Sequence, residues 1–168
     1  MLSVAVYAVE MIILFLLQHT VFTNLSIGNI IPDLLIILIF AVAYQNGKVA
    51  GIFVGISCGL MLDLTFGSVL GVYALCYMFI GYFCGFLATY YIKSDLILPL
   101  AVITVSEFVF SFYCYIVNRL IYGDTSLAYY FKRIMIPKVA YTLLLSVIVY
   151  KLLDYIYISI LLQDEEDN

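Results

Sequence analysis

Five apolar runs constrain this chain more than any other feature of its sequence. A helix needs about 20 apolar residues to cross a hydrocarbon core about 30 Å thick, and five stretches are close to that length or longer. They cover residues 4–22, 34–62, 71–92, 96–117 and 134–162. Strands of a membrane barrel would alternate apolar and polar residues, and that alternation is absent. The runs predict an all-α polytopic membrane protein.

The composition agrees, because the chain has too few charged side chains to cover a soluble domain. Hydrophobic residues make up 66% and charged residues 11% of the 168 residues, against roughly 45–50% and about 25% in ordinary soluble chains. Aspartate and glutamate number 11 and lysine and arginine 7, so the basic surface that nucleic acids require is missing. These values exclude a cytosolic enzyme, a secreted disulfide scaffold, a disordered regulator and a nucleic-acid-binding protein.

The second run is interrupted near its middle by four consecutive residues, Gln45, Asn46, Gly47 and Lys48. A single helix over the whole run would be about 43 Å long and would carry polar groups at its centre. Two short helices joined by a tight turn fit better. The first would begin at Pro32, since proline suits the first turn of a helix, and end near Tyr44.

The first of these short helices has consequences for the architecture. At about 14 residues it is too short to cross an undistorted bilayer, so we expect it inside the bundle or where the membrane thins. The sequence therefore predicts six transmembrane helices, with five as the alternative. We expect one helical domain over residues 1–162 and an acidic, solvated tail over residues 163–168.

Glycines recur every four residues from the second run onward. The series is Gly47, Gly51, Gly55 and Gly59, then Asp63 at the same spacing, then Gly67 and Gly71. Residues four apart drift by only about 40° around a helix, so they form one smooth stripe. Such a stripe lets helix backbones approach closely in a membrane. We predict that these six glycines pack against another helix, with Gly81 and Gly85 as the facing half.

Several charged residues lie within or at the ends of apolar runs. Glu10, Glu107 and Lys138 lie inside the runs, where an ionisable group costs a few kcal/mol (~2.5–3.5). Lys138, Gln18 and Ser106 are candidate partners for the two glutamates. Asp63 lies near a helix C-terminus, where the dipole disfavours a carboxylate, so a cap or an ion pair is expected. For each acid, hydrogen bonding between helices and a ligand or partner site both stay open.

The sequence carries none of the familiar signatures of catalysis or metal binding. Cys58, Cys76, Cys84 and Cys114 lie in apolar runs without a C-x-x-C pair, and we expect them to be small packing residues. His19 has no partner at ligand spacing. H-E-x-x-H, G-x-S-x-G and P-loop motifs are missing. We predict no enzyme activity, no metal site and no cofactor.

Residues 18–75 resemble the rod shape-determining protein MreD family. The matching residues are Gln18, the segment Pro32-Asp33-Leu34-Leu35, and the glycine series with Asp63 and Leu75. They are similar to the family patterns P-[DN]-L-L and G-x-x-x-G-x-x-x-G-L-x-x-D-x-x-x-G-x-x-x-G-x-x-A-L. This resemblance implies a non-enzymatic component of the bacterial machinery for lateral cell-wall elongation.

The resemblance also implies partners, location and fold. Family members associate with the single-span protein MreC and, through it, with MreB and the glycosyltransferase–transpeptidase pair. Six spans with both ends in the cytoplasm are implied, in a cytoplasmic-membrane bundle similar to the substrate-binding subunit of energy-coupling-factor transporters. A vitamin-binding subunit of such a transporter is the alternative function, because Glu10, Glu107 and Asn118 offer polar groups for a pocket.

The distribution of positive charge conflicts with this orientation. A cytoplasmic N-terminus and six spans would place Lys48, Lys93 and Lys151 inside. Arg119, Lys132 and Arg133 would lie outside, and Lys138 could be counted with them. The positive-inside rule alone favours the opposite orientation. A partly amphipathic segment lying in the interface between residues 118 and 133 would reconcile the two.

Overall fold

The computed structural model describes residues 2–24, 30–67, 69–88, 97–117 and 127–166. The elements are α1 (Leu2–Asn24), α2 (Leu34–Phe66), α3 (Val72–Ala88), α4 (Ile97–Tyr115), the short α5 (Leu127–Tyr130), a π-helical turn (Phe131–Met135) and α6 (Ile136–Glu166). Three helical segments are long and apolar enough to cross a membrane, and shorter apolar stretches lie in α1 and α3. The prediction of an all-α polytopic membrane protein is confirmed.

Helix α2 is a hairpin of two arms. Gly47 interrupts it with φ 85° and ψ −178°, a conformation that is essentially restricted to glycine. A Cβ atom placed on Gly51 would lie 2.7 Å from the Cβ of Ala43, although residues eight apart on a straight helix are separated by about 12 Å. The chain therefore folds back at Gly47, between a first arm (residues 34–46) and a second arm (residues 48–66). Together with α1, α3, α4 and α6, the two arms of α2 make six long helical segments among the described residues.

The first arm is the centre of the bundle. Its residues 34–43 are all buried, with at most 1% of any side chain exposed. Helix α2 contacts α1, α3, α4 and α6, so its short first arm is surrounded by protein. The expectation that this segment packs inside the bundle is met.

The start of the first arm differs from the prediction. The helix begins at Leu34, and Asp33 is its N-cap, with a side-chain oxygen accepting from the Ile36 amide at 3.4 Å. Pro32 lies outside the helix and is buried. Aspartate is a strong N-cap because its carboxylate accepts from a free amide of the first turn, so the helix starts after Asp33.

Three of the six predicted packing glycines bring α2 and α3 into backbone contact. A Cβ at Gly55 would lie 2.8 Å from the Tyr77 carbonyl carbon, and one at Gly59 would lie 2.6 Å from the Ala74 amide nitrogen. A Cβ at Gly51 would collide with the Gly81 carbonyl. These distances leave no room for any side chain, so the two helices form one rigid pair.

The other three glycines do not pack against another helix, which corrects the prediction for them. Gly47 and Gly71 have positive φ, and a Cβ on either would meet nothing within 4 Å. Gly67 is the C-cap of α2, and its amide donates to the Asp63 carbonyl at 3.0 Å. Gly67 and Gly71 continue the four-residue spacing, but α2 ends at Phe66, so both lie between α2 and α3. Gly47 lies in the turn between the two arms of α2.

At the C-terminal end, helix α6 continues to Glu166, so residues 163–166 of the predicted acidic tail are helical. Residues 167 and 168 lie outside the described residues. Cys58, Cys76 and Cys84 are buried and Cys114 is partly exposed, all with free thiols.

Candidate functional site

Polar side chains from five helices meet at the start of the first arm of α2. We call this group the polar node. Its members are Gln18 from α1, Asp33 at the start of α2, Tyr77 from α3, Glu107 from α4, and Lys138 and Thr142 from α6. Four of them, Gln18, Asp33, Glu107 and Lys138, are among the residues that the sequence singles out.

The first-turn amides of the first arm explain part of the node. The first amides of a helix have no acceptor within the helix and need one elsewhere. The Asp33 amide donates to Thr142 Oγ1 at 3.0 Å, and the Leu34 amide donates to Gln18 Oε1 at 2.9 Å. Helices α1 and α6 thus supply the acceptors, which fixes both of them to the centre of the bundle.

Charged groups form the rest of the node. Lys138 Nζ lies 2.9 Å from Glu107 Oε1 and 3.6 Å from Asp33 Oδ2. The Tyr77 hydroxyl donates to Asp33 Oδ2 at 2.6 Å, and the ammonium also lies 4.9 Å from the centre of the Phe110 ring. Two carboxylates share one ammonium, and the side chains of Glu107 and Asp33 are 0% and 2% exposed. Burial makes removal of one partner costly, because a charge is left unpaired.

Glu107 is bound chiefly through one oxygen. Within the described residues, neither carboxylate oxygen of Glu107 nor the Ser111 hydroxyl makes a hydrogen bond of good geometry, and Oε1 is held by its ion pair with Lys138. Of the three candidate partners, Lys138 contacts Glu107, whereas Ser106 faces Cys84, with 3.6 Å between Oγ and Sγ. The ion pair with Lys138 is therefore the main contact of Glu107.

A cavity of about 200 Å³ reaches the node. Gln18, Asp33 and Lys138 line its polar side, and aromatic rings including Phe66 and Phe110 line much of the rest. His19 also lines it, with its ring 4.7 Å from Phe15 and 4.5 Å from Phe66. Across the described ranges, no three histidine, cysteine, aspartate or glutamate side chains come together in a way that could hold a metal ion. The hydrogen bonds and ion pairs of the node join side chains from five helices.

Asp63 has a different position and a different set of partners. Its Oδ1 accepts from the Tyr73 amide at 2.9 Å, and its Oδ2 accepts from the amides of Gly71 and Ala74 at 3.0 Å each. These amides belong to the turn before α3 and to the first turn of α3. Asp63 therefore caps α3 from the end of α2, and its charge lies at the favourable end of the α3 dipole.

Glu10 lies outside the node. It is on α1, three residues after Tyr7, whose hydroxyl accepts from Asn46 Nδ2 at 2.8 Å beside the turn at Gly47. The first arm of α2 is about 20 Å long, so this turn and the node belong to opposite ends of the bundle. Glu10 is half-buried there.

The sequence did not single out two members of the node, Tyr77 and Thr142. Tyr77 lies four residues before Gly81, so extending the glycine spacing backwards along α3 would have placed it on the face towards α2. Thr142 lies four residues after Lys138, on the same face of α6. Neither type of residue draws attention in an apolar run, because both occur widely in membrane helices.

Comparison with known proteins gives the family of the chain. A model of the rod shape-determining protein MreD family matches residues 1–159, which extends well beyond the residues that carry the motifs. Searches of curated proteins and of solved structures found no match, so the likeness to energy-coupling-factor transporters stays a prediction. Because the match covers nearly the whole chain, the protein belongs to the MreD family of rod shape-determining membrane proteins.

Proposed function

We propose that this protein is a non-enzymatic component of the rod complex in the bacterial cytoplasmic membrane. In this proposal it binds the transmembrane helix of MreC on a lateral face, with both its own ends in the cytoplasm. Through MreC it would help to organise MreB and the glycosyltransferase–transpeptidase pair during peptidoglycan synthesis. The observation that carries the proposal is the family match over residues 1–159.

The packing of the bundle supports a role in positioning a partner. Helices α2 and α3 are in backbone contact at Gly55 and Gly59, and the polar node connects this pair to α1, α4 and α6. A scaffold needs a surface whose shape does not change when a partner binds. The backbone contact between α2 and α3 and the buried ion pairs of the node both limit changes in the shape of the bundle.

Two apolar grooves on the sides of the bundle offer places for a partner helix. One, of about 470 Å³, lies between α1 and α2 and includes Ala8, Ala50 and Phe53 in its lining. The other, of about 500 Å³, lies between α3 and α4 and includes Phe83 and Val105. Phe53 and Phe83 are 67% and 58% exposed, so a probe at either position reports on its own groove.

The test is site-specific photo-crosslinking in living cells. A photoreactive phenylalanine replaces Phe53, Phe83 or, as a control outside both grooves, Leu144 on α6, which is 70% exposed. We expect MreC to be captured from one groove position and much less from Leu144. Capture of MreC from none of the three, in cells that keep their rod shape, would contradict the proposal. Capture of an ATPase pair with a coupling membrane subunit would support the transporter alternative.

A further inference from the structure

The end of the bundle that holds the node exposes only positive charge among its described residues. Lys132 and Arg133 lie in the π-helical turn before α6, and both are exposed. Tyr129 and Phe131 beside them are also exposed, at 55% and 36%. We call these four residues the basic–aromatic patch.

The acidic groups at this end are already engaged. Asp63 accepts from three backbone amides, and Asp33 and Glu107 share Lys138. All three carboxylates are buried. In the part of the chain that the structure describes, Lys132 and Arg133 therefore have no acidic partner, and their charges face outward.

Aromatic contacts hold the backbone of the patch in place. The Tyr130 hydroxyl donates to the Ser111 carbonyl at 3.4 Å, and the Tyr130 and Tyr115 rings are 5.1 Å apart. The Phe131 ring meets Phe108 edge-on at 5.9 Å. The segment is therefore fixed along α4 while its two cationic side chains stay exposed. The π-helical turn is itself notable, because such turns occur frequently at functional sites.

The opposite end of the bundle has a different charge pattern. Lys48 and Lys151 are exposed there, but so are parts of two acids, Glu10 and Asp154. Asp154 accepts from Gln45 Nε2 at 3.4 Å beside the turn at Gly47. Positive and negative groups are mixed at that end, so it lacks the single sign of the basic–aromatic patch.

We propose that the basic–aromatic patch binds the phosphate group of an anionic phospholipid. Arginine donates two parallel hydrogen bonds to phosphate oxygens, and lysine adds a mobile point charge. Arg133 is held near Tyr129, with its guanidinium carbon 5.9 Å from the ring centre, and tyrosine favours the headgroup level of a membrane. A phospholipid is the occupant because the patch continues directly into α6, a membrane-spanning helix. This proposal does not rest on the proposed binding of MreC.

The experiment exploits the absence of tryptophan from the chain. Ile136→Trp, at a position 51% exposed and one turn from the patch, gives a single fluorescent reporter. Leu152→Trp, at a position 55% exposed beside Lys151, is the matched reporter at the other end. Each purified protein is placed in phosphatidylcholine vesicles that contain a minor fraction of brominated phosphatidylglycerol or brominated phosphatidylcholine. Bromine quenches tryptophan only at close range.

We expect brominated phosphatidylglycerol to quench Ile136→Trp more strongly than brominated phosphatidylcholine, with a preference between about fivefold and thirtyfold for two basic residues. The preference should fall at ~1 M salt, where the Debye length is about 3 Å. K132Q/R133Q should abolish it, and each single substitution should reduce it. The charge-matched control K48Q/K151Q should leave it unchanged.

Three results would overturn the proposal. They are equal quenching of Ile136→Trp by the two lipids, a preference that survives in K132Q/R133Q, and an equal loss of preference in K48Q/K151Q. The last result would mean that net charge, and not the patch, attracts the lipid. Because Lys132 and Arg133 are exposed, the variant should fold, and an unchanged elution profile checks this.

Discussion

The α2–α3 interface and the polar node hold the same bundle together by different physical means. At the interface, backbone meets backbone, and the limiting quantity is volume, since a Cβ at Gly55 would lie 2.8 Å from the Tyr77 carbonyl carbon. At the node, the limiting quantity is charge, since Lys138 shares its ammonium between Asp33 and Glu107. The α2–α3 interface should therefore tolerate no added atoms. The polar node should tolerate changes of side-chain shape that keep its charges balanced.

The largest effect is expected from Gly55→Leu. A leucine on the contact face would push α3 away from α2 by more than packing tolerates, so we expect the protein to be degraded or absent from the membrane. Immunoblotting of membrane fractions measures this. The control is Ser57→Leu, because Ser57 is exposed on the same arm. Normal abundance of Gly55→Leu would show that volume does not limit this interface.

Lys138→Met tests the role of charge at the node. It leaves two buried carboxylates without their ammonium, and we expect a loss of about 3–5 kcal/mol in the free energy of unfolding. Adding Glu107→Leu should recover part of the loss, because one unpaired charge is removed. Thermal unfolding in detergent measures both variants, with the exposed Lys132→Met as control. If the double variant were no more stable than Lys138→Met, charge balance would not be what holds the node.

Gly47→Ala separates conformation from volume among the glycines. Nothing lies within 4 Å of a Cβ at Gly47, but its φ of 85° is unfavourable for alanine. We expect a loss of about 1–3 kcal/mol from backbone strain, measured by thermal unfolding. Gly47→Asn should not restore stability, because the ψ of −178° lies outside the left-handed region that asparagine tolerates. An alanine variant as stable as the wild type would remove the need for glycine in the turn.

The smallest effect is expected at Asp63. Asp63→Ala removes acceptors from three amides at the start of α3, and losing such a cap costs about 0.5–2 kcal/mol. Hydrogen exchange should become faster at Gly71, Tyr73 and Ala74, while the node amides of Asp33 and Leu34 stay protected. Faster exchange at both places would mean that the cap and the node are one cooperative unit.

The sequence predicts the periodic features of this molecule well. Run lengths gave the helices, the polar interruption at Gln45–Lys48 gave the hairpin turn, and the glycine spacing gave the α2–α3 contact. The same spacing misled at Gly67 and Gly71, because a repeat can continue past the end of a helix. The partners of Glu107 and Asp63 could not be assigned, since contacts between distant helices depend on how those helices are rotated about their axes. Tyr77 and Thr142 were missed because both residue types occur widely in membrane helices.

The contacts of the first arm also bear on the order in which the bundle assembles during synthesis. This arm is too short to cross a bilayer by itself, so it should enter the membrane together with the second arm as one hairpin. The Asp33 amide at the start of this arm has its acceptor on Thr142, which is synthesised more than a hundred residues later. Until α6 is synthesised and inserted, Asp33 lacks two partners: Thr142, which accepts from its amide, and Lys138, which pairs with its carboxylate. Helix α6, which is synthesised after α1, α2, α3 and α4, is therefore the one that completes the node.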